Sequence, residues 1–376
     1  MGDNGMKLCR IARPPLKTSG LRFQQREFHL LGRLAKRGHQ IDQFDLYPVN
    51  FFNEYVSYGL GIFLGVIRFR KVKADVIMAD SIESAVAAVL IKMVYQIPLV
   101  IDFIDDYSMI ARHDGFSLRY YLIELLEKIL PRFADIVLVV DEHKRRFCSG
   151  VGVKAERIVL IPNGTDTKKF NPAVSPGPLP HDLLPQKHPI IQYVGRLNKY
   201  YNIDLLIHAV AIVFQRFPEA RFVLVGDGDE KERLTNLCNS LHIHSQVIFL
   251  GFMDPDKIPG LITCADVCLF PLPDSSALVI YEYMACGKAV VIPDYGTKKM
   301  GISNDILPED SFLKAENSPA GVAAAIITLL EDDALRHQMG KNARRWIETT
   351  YDWDTLALKY ETIVTSICCA TKPTSR

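Results

Sequence analysis

Short apolar, β-branched runs alternate with helix-length amphipathic stretches along the whole chain, and that alternation marks βαβ units and parallel sheets. In the first half the runs predict strands near Leu8–Ala12, Gln40–Phe44, Val76–Ala79, Leu99–Ile104, Ile136–Val140 and Ile158–Ile161. Between them the 3.6-residue pattern predicts helices such as Phe23–Arg37, with Gly38 as its C-terminal stop, and Ser117–Leu130. The second half repeats the theme, with strands near Ile190–Val194, Phe222–Val225, Val247–Leu250, Val267–Phe270 and Ala289–Ile292. The stretch Asn171–Pro185 is rich in proline and reads as a linker. From about Glu331 the pattern is helical, apart from a turn near Tyr351–Asp354.

The expected architecture is α/β, with two Rossmann-like doubly wound sheets. Residues 1–170 form the first domain, 171–187 the linker and 188–350 the second domain, and the helix in 351–376 packs back on the first. Ligand crevices of such sheets lie at the carboxyl ends of the strands. Facing each other, two of them form one deep cleft.

At 376 residues the chain exceeds one ordinary core, which agrees with two domains. A hydrophobic fraction of 48% with 23% charged residues is that of a globular protein able to bury large sheets. The net charge of +1 gives no support to a nucleic-acid binder. The halves differ, however: residues 1–170 hold 25 Lys+Arg against 19 Asp+Glu and residues 171–376 hold 19 against 24, so the chain runs from +6 to −5. A basic first half favours an anionic membrane surface or anionic substrates, or is ordinary scatter of surface charge.

The eight cysteines show no paired metal-ligand spacing, and Cys9, Cys264, Cys268 and Cys286 sit in or beside apolar runs. A cytoplasmic location is expected. Met1–Arg10 has no apolar signal core, and no run is long enough to span a membrane. The nearest candidate, Phe51–Phe69, is interrupted by polar residues and glycines and followed by Arg70, Lys71 and Lys73. It reads as a surface-lying membrane segment on the cytoplasmic face or as a buried helix. In the helix Ser117–Leu130, the residues Leu118, Tyr121, Leu122, Leu125, Leu126, Ile129 and Leu130 share one stripe, for packing on the sheet or for membrane contact.

The most informative stretch, Phe270–Pro293, reads strand, proline-rich turn, polar loop, helix, glycine stop and strand. Asp274, Ser275 and Ser276 fall where a helix N-terminus should begin, and its free amides and dipole suit a diphosphate. Glu282, about six residues into that helix, would lie ~9 Å from its first turn, the reach from a diphosphate to a ribose. Its carboxylate can accept both ribose hydroxyls, and Asp274 can hold hydroxyls of a donor sugar; alone, the pair also reads as an N-cap and a solvated helix residue. At the end of Leu99–Ile104, one of Asp102, Asp105 and Asp106 either caps a turn or orients an acceptor hydroxyl. Asp227-Gly228-Asp229 follows a strand and opens a helix, which argues against a metal-binding Asp-x-Asp.

Here the chain resembles family 4 of the retaining glycosyltransferases, group 1, with the GT-B fold. Asp274 and Glu282 match that family's two acids separated by seven residues, within Ser275-Ser276-Ala277-Leu278 and onward to Lys288. Val194-Gly195-Arg196-Leu197 looks like its loop whose arginine binds the donor diphosphate, and Val225-Gly226-Asp227-Gly228 like its next strand end. Ile161-Pro162-Asn163-Gly164-Thr165-Asp166 through Phe170 looks like the segment closing the first domain, and Tyr351-Asp352-Trp353 like the start of the last helix.

The resemblance implies a metal- and cofactor-free retaining hexosyltransferase. It would move a sugar from a UDP- or GDP-type nucleotide sugar to a polysaccharide, glycolipid or lipid-linked acceptor. Arg196, Asp274, Glu282 and Asp105 are its implied catalytic residues; Ser19, Gly20, Gly195, Lys199, Gly226 and Ser275 through Leu278 join Arg196 and Glu282 around the donor. The sequence departs from the family with Asp rather than Glu at 274, with Tyr201 where a second diphosphate cation is usual, and with Ala277 and Val279 where a close subgroup has Pro and Lys. Lys199 is the candidate replacement for the missing cation. Two other readings fit the fold: a sugar-nucleotide 2-epimerase, and a non-catalytic nucleotide-sugar-binding protein.

Overall fold

The computed structural model describes residues 5–12, 22–46, 54–104, 118–175, 188–271, 278–296 and 307–371. They divide into two compact units, one of Met1–Asn163 with Asp354–Arg376 and one of Gly164–Trp353.

The first unit runs β1 (Lys7–Ala12), α1 (Arg22–Lys36), β2 (Gln40–Asp45), α2 (Glu54–Phe69), β3 (Val76–Ala79), α3 (Ile82–Tyr95), β4 (Leu99–Phe103), α4 (Leu118–Ile129), β5 (Ile136–Val139), α5 (Glu142–Gly150) and β6 (Ile158–Leu160). The six strands form a parallel sheet in the order β2-β1-β3-β4-β5-β6. Every residue of β3, β4 and β5 is buried, as strands covered on both faces must be. From β2 through β5 the chain steps one way across the sheet, so right-handed crossovers put α2, α3 and α4 on one face. The step from β1 to β2 runs the other way and carries α1 to the opposite face.

Local chemistry sets the helix ends. Gly38, at φ 92°, turns the chain out of α1 and lets the His39 N–H reach the Leu34 carbonyl. Ser81 and Ser84 form a reciprocal cap at the start of α3, and Asp141 caps α5. The stripe expected on the helix at 117–130 divides differently: Leu130 and Glu127 face inward, while Tyr121, Leu122 and Leu125 are exposed. In the segment read as membrane-lying or buried, Phe69 is fully buried against Phe44 and Tyr95, but Phe63, Leu64 and Ile67 point outward. Among the described residues, no helix is long and apolar enough to cross a membrane.

The second unit runs β7 (Ile190–Val194), α6 (Ile203–Arg216), β8 (Arg221–Val225), α7 (Lys231–Ser240), β9 (Val247–Gly251), α8 (Ile258–Thr263), β10 (Val267–Leu269), α9 (Val279–Ala285), β11 (Ala289–Asp294), β12 (Leu313–Glu316), α10 (Pro319–Glu331) and α11 (Asp333–Thr350). Its sheet, also parallel, has the order β12-β11-β10-β7-β8-β9, with β7 near the middle. Apolar cores lie on both faces, one built with α6 and α10, the other with α9 and α11. The strand β12 escapes the sequence pattern.

The division falls ahead of residue 170. Phe170 is buried with the second core, and Arg344 of α11 donates to the Thr167, Phe170 and Ala285 carbonyls. Thr165 bridges Asp352, whose carboxylate accepts from the Thr167 N–H and hydroxyl. The last helix, α12 (Trp353–Thr371), belongs beyond Trp353 to the first unit. There Arg37 and His39 hold Glu361, Arg33 holds Asp354, and the Tyr360 hydroxyl lies 3.1 Å from the Met78 sulfur.

Candidate functional site

In the second unit the carboxyl ends of β7 and β8 form one tight loop system. Gly195 N–H donates to Val225 O, Leu197 N–H to Asp227 O, and Gly226 N–H to Gly251 O. A methyl group on Gly226 would meet Gly195 O at 1.9 Å, and one on Gly228 would meet Leu197 O at 2.1 Å. Gly226 also has φ 136°, a conformation that L side chains rarely adopt. The glycines therefore let two backbone turns stack where any side chain would part them. Gly226→Ala should cost about 2 kcal/mol or more in stability, checked by thermal unfolding.

This packing fixes Arg196. The Tyr193 hydroxyl donates to Arg196 O at 3.0 Å, and the Val194 N–H donates to the Tyr283 hydroxyl at 2.6 Å. Tyr283 belongs to α9, the helix of Glu282, so a buried phenol ties the arginine loop to the acid's helix. The Arg196 side chain is exposed and has no ion-pair partner among the described residues. Lys199, also exposed, begins a single 3-10 turn, Lys199–Tyr201. Tyr201, the residue at the usual cation position, packs its ring against both apolar cores. It holds the loop as a wedge.

Glu282 is the fourth residue of α9, which begins at Val279 after Leu278 as N-cap. The expected spacing of six residues from the first turn therefore does not hold, because the regular helix starts later than Ser276. Partial burial pushes the Glu282 carboxyl up to about 7, against the pull of the Lys169 charge. Lys169 itself pairs with Asp256 at 2.6 Å. Asp274, Ser275, Ser276 and Ala277 lie outside the described residues. Their flanks are held: the Tyr295 hydroxyl, following β11, donates to Pro271 O at 2.5 Å.

In the first unit Ser19, Gly20, Asp105 and Asp106 lie outside the described residues. Asp102 does not face solvent. It is buried, and its two carboxylate oxygens accept from Nε and Nη2 of Arg26 at 3.0 and 3.3 Å. Arg26 also donates to the Ile161 and Pro162 carbonyls and to Asn163 Oδ1, so Asp102 anchors the segment that ends this unit. Beside it, Arg10 pairs with Glu27 and with Asp80. Burial and the neighbouring Asp80 push the Glu27 carboxyl well above the usual range. Asp227 in the second unit is engaged by the Gly228 N–H, and no group of metal-ligating side chains occurs among the described residues.

Sequence reading missed Lys169 and Tyr295, and also Tyr193 and Tyr283, because tyrosines in apolar runs read as core. It also missed Asn198, whose Oδ1 is buried beside the arginine loop with no hydrogen-bond partner among the described residues.

The family described as "Glycosyl transferases group 1" matches residues 180–346, and the "Glycosyl transferase 4-like domain" matches residues 44–164. With these matches and its two Rossmann-like parallel sheets, the chain belongs to the family 4 glycosyltransferases of the GT-B fold. It is 30% identical over 182 residues to the N-acetyl-alpha-D-glucosaminyl L-malate synthase of Bacillus anthracis, covering 48% of this chain and 46% of that one. It is 26% identical over 264 residues to the GDP-mannose-dependent alpha-(1-6)-phosphatidylinositol monomannoside mannosyltransferase of Mycobacterium tuberculosis, covering 67% and 68%. The chain spans 46 to 62% of the length of several curated relatives it matches. Its fold is shared with HepE of Anabaena, solved with UDP-glucose, at TM-score 0.68 and 20% identity over 96% of this chain and 100% of that one.

Proposed function

We propose that this chain is a retaining hexosyltransferase that takes its sugar from a nucleoside diphosphate of the UDP or GDP type. The carrying observation is the fixed pairing of the Arg196 loop with the Glu282 helix through Tyr283. It gives an exposed cation on a strand-end loop and a partly buried carboxylate on the helix tied to it, as a diphosphate and its ribose require. In this reading Arg196, with Lys199, stabilises the leaving diphosphate, and no metal is needed. Glu282 accepts from the ribose hydroxyls. Asp274 holds the donor sugar, Asp105 orients the acceptor hydroxyl, and attack comes from the face the diphosphate leaves.

The name of one relative, a GDP-mannose-dependent phosphatidylinositol monomannoside mannosyltransferase, supports a nucleotide-sugar donor. It also supports a glycolipid or lipid-linked acceptor. Seven cysteines held as buried free thiols suit a cytoplasmic location.

A panel of nucleotide sugars tests the reading. The correct donor at 100 times its Kd should add about 3 kcal/mol to stability, a shift of about 5 °C or more in Tm. Product analysis should then show transfer, or slow donor hydrolysis, with the anomeric configuration retained. An inverted product, an epimerised donor, or no stabilisation by any nucleotide sugar overturns it.

A further inference from the structure

We infer that Lys169 is a positioning residue of the donor site, set beside Glu282 so that this acid meets the donor's ribose as a carboxylate. This role rests on the reading of Glu282 as the acceptor of the ribose hydroxyls. Three sets of contacts fix where the lysine stands. Asp166 Oδ1 accepts from the Lys168 and Lys169 N–H groups at 3.0 and 3.1 Å, and the Asp166 carbonyl accepts from the Phe170 N–H. The Phe170 ring is buried in the core that holds Ile280, Tyr281 and Met284 of α9. One nitrogen of Arg344 donates to both the Phe170 and the Ala285 carbonyls, at 2.7 and 2.6 Å, so this segment runs against the helix that carries Glu282.

The ammonium of Lys169 is held by Asp256 at 2.6 Å. The Asp256 N–H donates in turn to Asp254 Oδ1 at 2.9 Å, within the turn between β9 and α8. Both members of the pair are exposed, and a pair of that kind adds little to stability. What it fixes is the place of a positive charge.

Glu282 needs such a charge. Its carboxyl has neither a hydrogen-bond nor an ion-pair partner among the described residues. Burial pushes it up to about 7, and the Lys169 charge is what opposes that rise. The other ionisable groups around it do not take over this work. Burial pushes Tyr283 and Cys286, on the same helix, upward, so both stay neutral. Arg344 of α11 is spent on the Thr167, Phe170 and Ala285 carbonyls and on Glu348. A protonated carboxyl accepts hydrogen bonds only weakly, whereas a carboxylate accepts from both ribose hydroxyls. A cation that favours the ionised form therefore prepares Glu282 before the donor arrives.

The test is titration of the full chain with UDP and with GDP, which carry the ribose and the diphosphate, across pH. Loss of the cation should move the rise in affinity from near pH 7 to higher pH. Lys169→Met should therefore bind about fivefold or more weakly at pH 7 but within about twofold of the wild type at pH 9. Lys169→Arg should restore the wild-type profile. A loss of equal size at both pH values overturns the role, because it marks a direct contact or a disturbed fold. Thermal scans without ligand separate this role from the donor reading. A carboxyl raised by folding loses its stabilising effect as pH climbs through its folded value. The deficit of the wild type against Glu282→Gln should thus level near pH 7, and that of Lys169→Met against Lys169→Met/Glu282→Gln should keep growing towards about pH 8. Deficits that level at the same pH overturn the role whatever the nucleotides do. Deficits that differ, with neither UDP nor GDP bound, leave the coupling of Lys169 to Glu282 standing and overturn the ribose assignment.

Discussion

Glu282→Gln should lower kcat/KM by about 100-fold or more and, at the same time, make the protein more stable above neutral pH. The loss follows from removing a charged acceptor for two ribose hydroxyls, each such bond contributing about 1.5 to 3 kcal/mol. The gain follows from burial. In the unfolded chain this carboxyl titrates near 4.5, and in the fold near 7. Between those values the unfolded chain has released a proton that the folded state retains, so stability declines as pH rises from 4.5 through 7 and then levels. Glutamine removes that decline.

The variant should therefore match the wild type near pH 4 and exceed it at pH 8, by about 3 kcal/mol at most, or roughly 5 to 10 °C in Tm. Donor affinity of the wild type should rise through pH 7 as the carboxylate forms, whereas that of the variant should stay flat. Thermal scans across pH, with donor titrations at the same points, read both effects. An unchanged kcat/KM removes Glu282 from the site.

Arg26→Met should destabilise the first unit by about 3 to 5 kcal/mol, the usual cost of removing one partner of a buried ion pair. It leaves Asp102 buried without its cation and strips the Ile161 and Pro162 carbonyls of a donor. Burial already raises the Asp102 pKa, and Arg26 is what opposes it. Without the guanidinium the carboxyl is driven further towards the protonated form, so the deficit should be smaller at pH 5 than at pH 8. Asp102→Asn added to Arg26→Met should recover part of the loss. Urea unfolding of the two variants at both pH values checks this, and a deficit independent of pH and of Asp102→Asn assigns the cost to the carbonyls instead.

Strands were legible where both faces are buried. Val76–Ala79 and Ile190–Val194 coincide with the runs that predicted them, because four consecutive buried residues leave little other pattern. The edge strand β12 was not legible. Leu313-Lys314-Ala315-Glu316 buries only Ala315, and lysine and glutamate have little strand preference of their own, so pairing with β11 makes the strand. The helix at 117–130 showed an apolar stripe but not its direction, since periodicity cannot say which face meets the sheet.

At the site, glycines at turns and charged residues after strands were legible, because few structural roles ask for them there. Arg196, Gly195 and Gly226 stand together at the strand ends, with Glu282 on the helix that Tyr283 ties to them. What was not legible is the support beneath them. A tyrosine whose hydroxyl accepts a backbone N–H from another strand looks, in sequence, like one packed only by its ring.

The first unit is drawn from both ends of the chain, and that sets an order of events during synthesis. The residues after Trp353 are translated after every other part of both units, so the sheet made first still waits for its last cover. Ala357, Tyr360 and Val364 become wholly enclosed only when that segment arrives. Until then the nascent amino-terminal sheet shows water the apolar surface those side chains will hide.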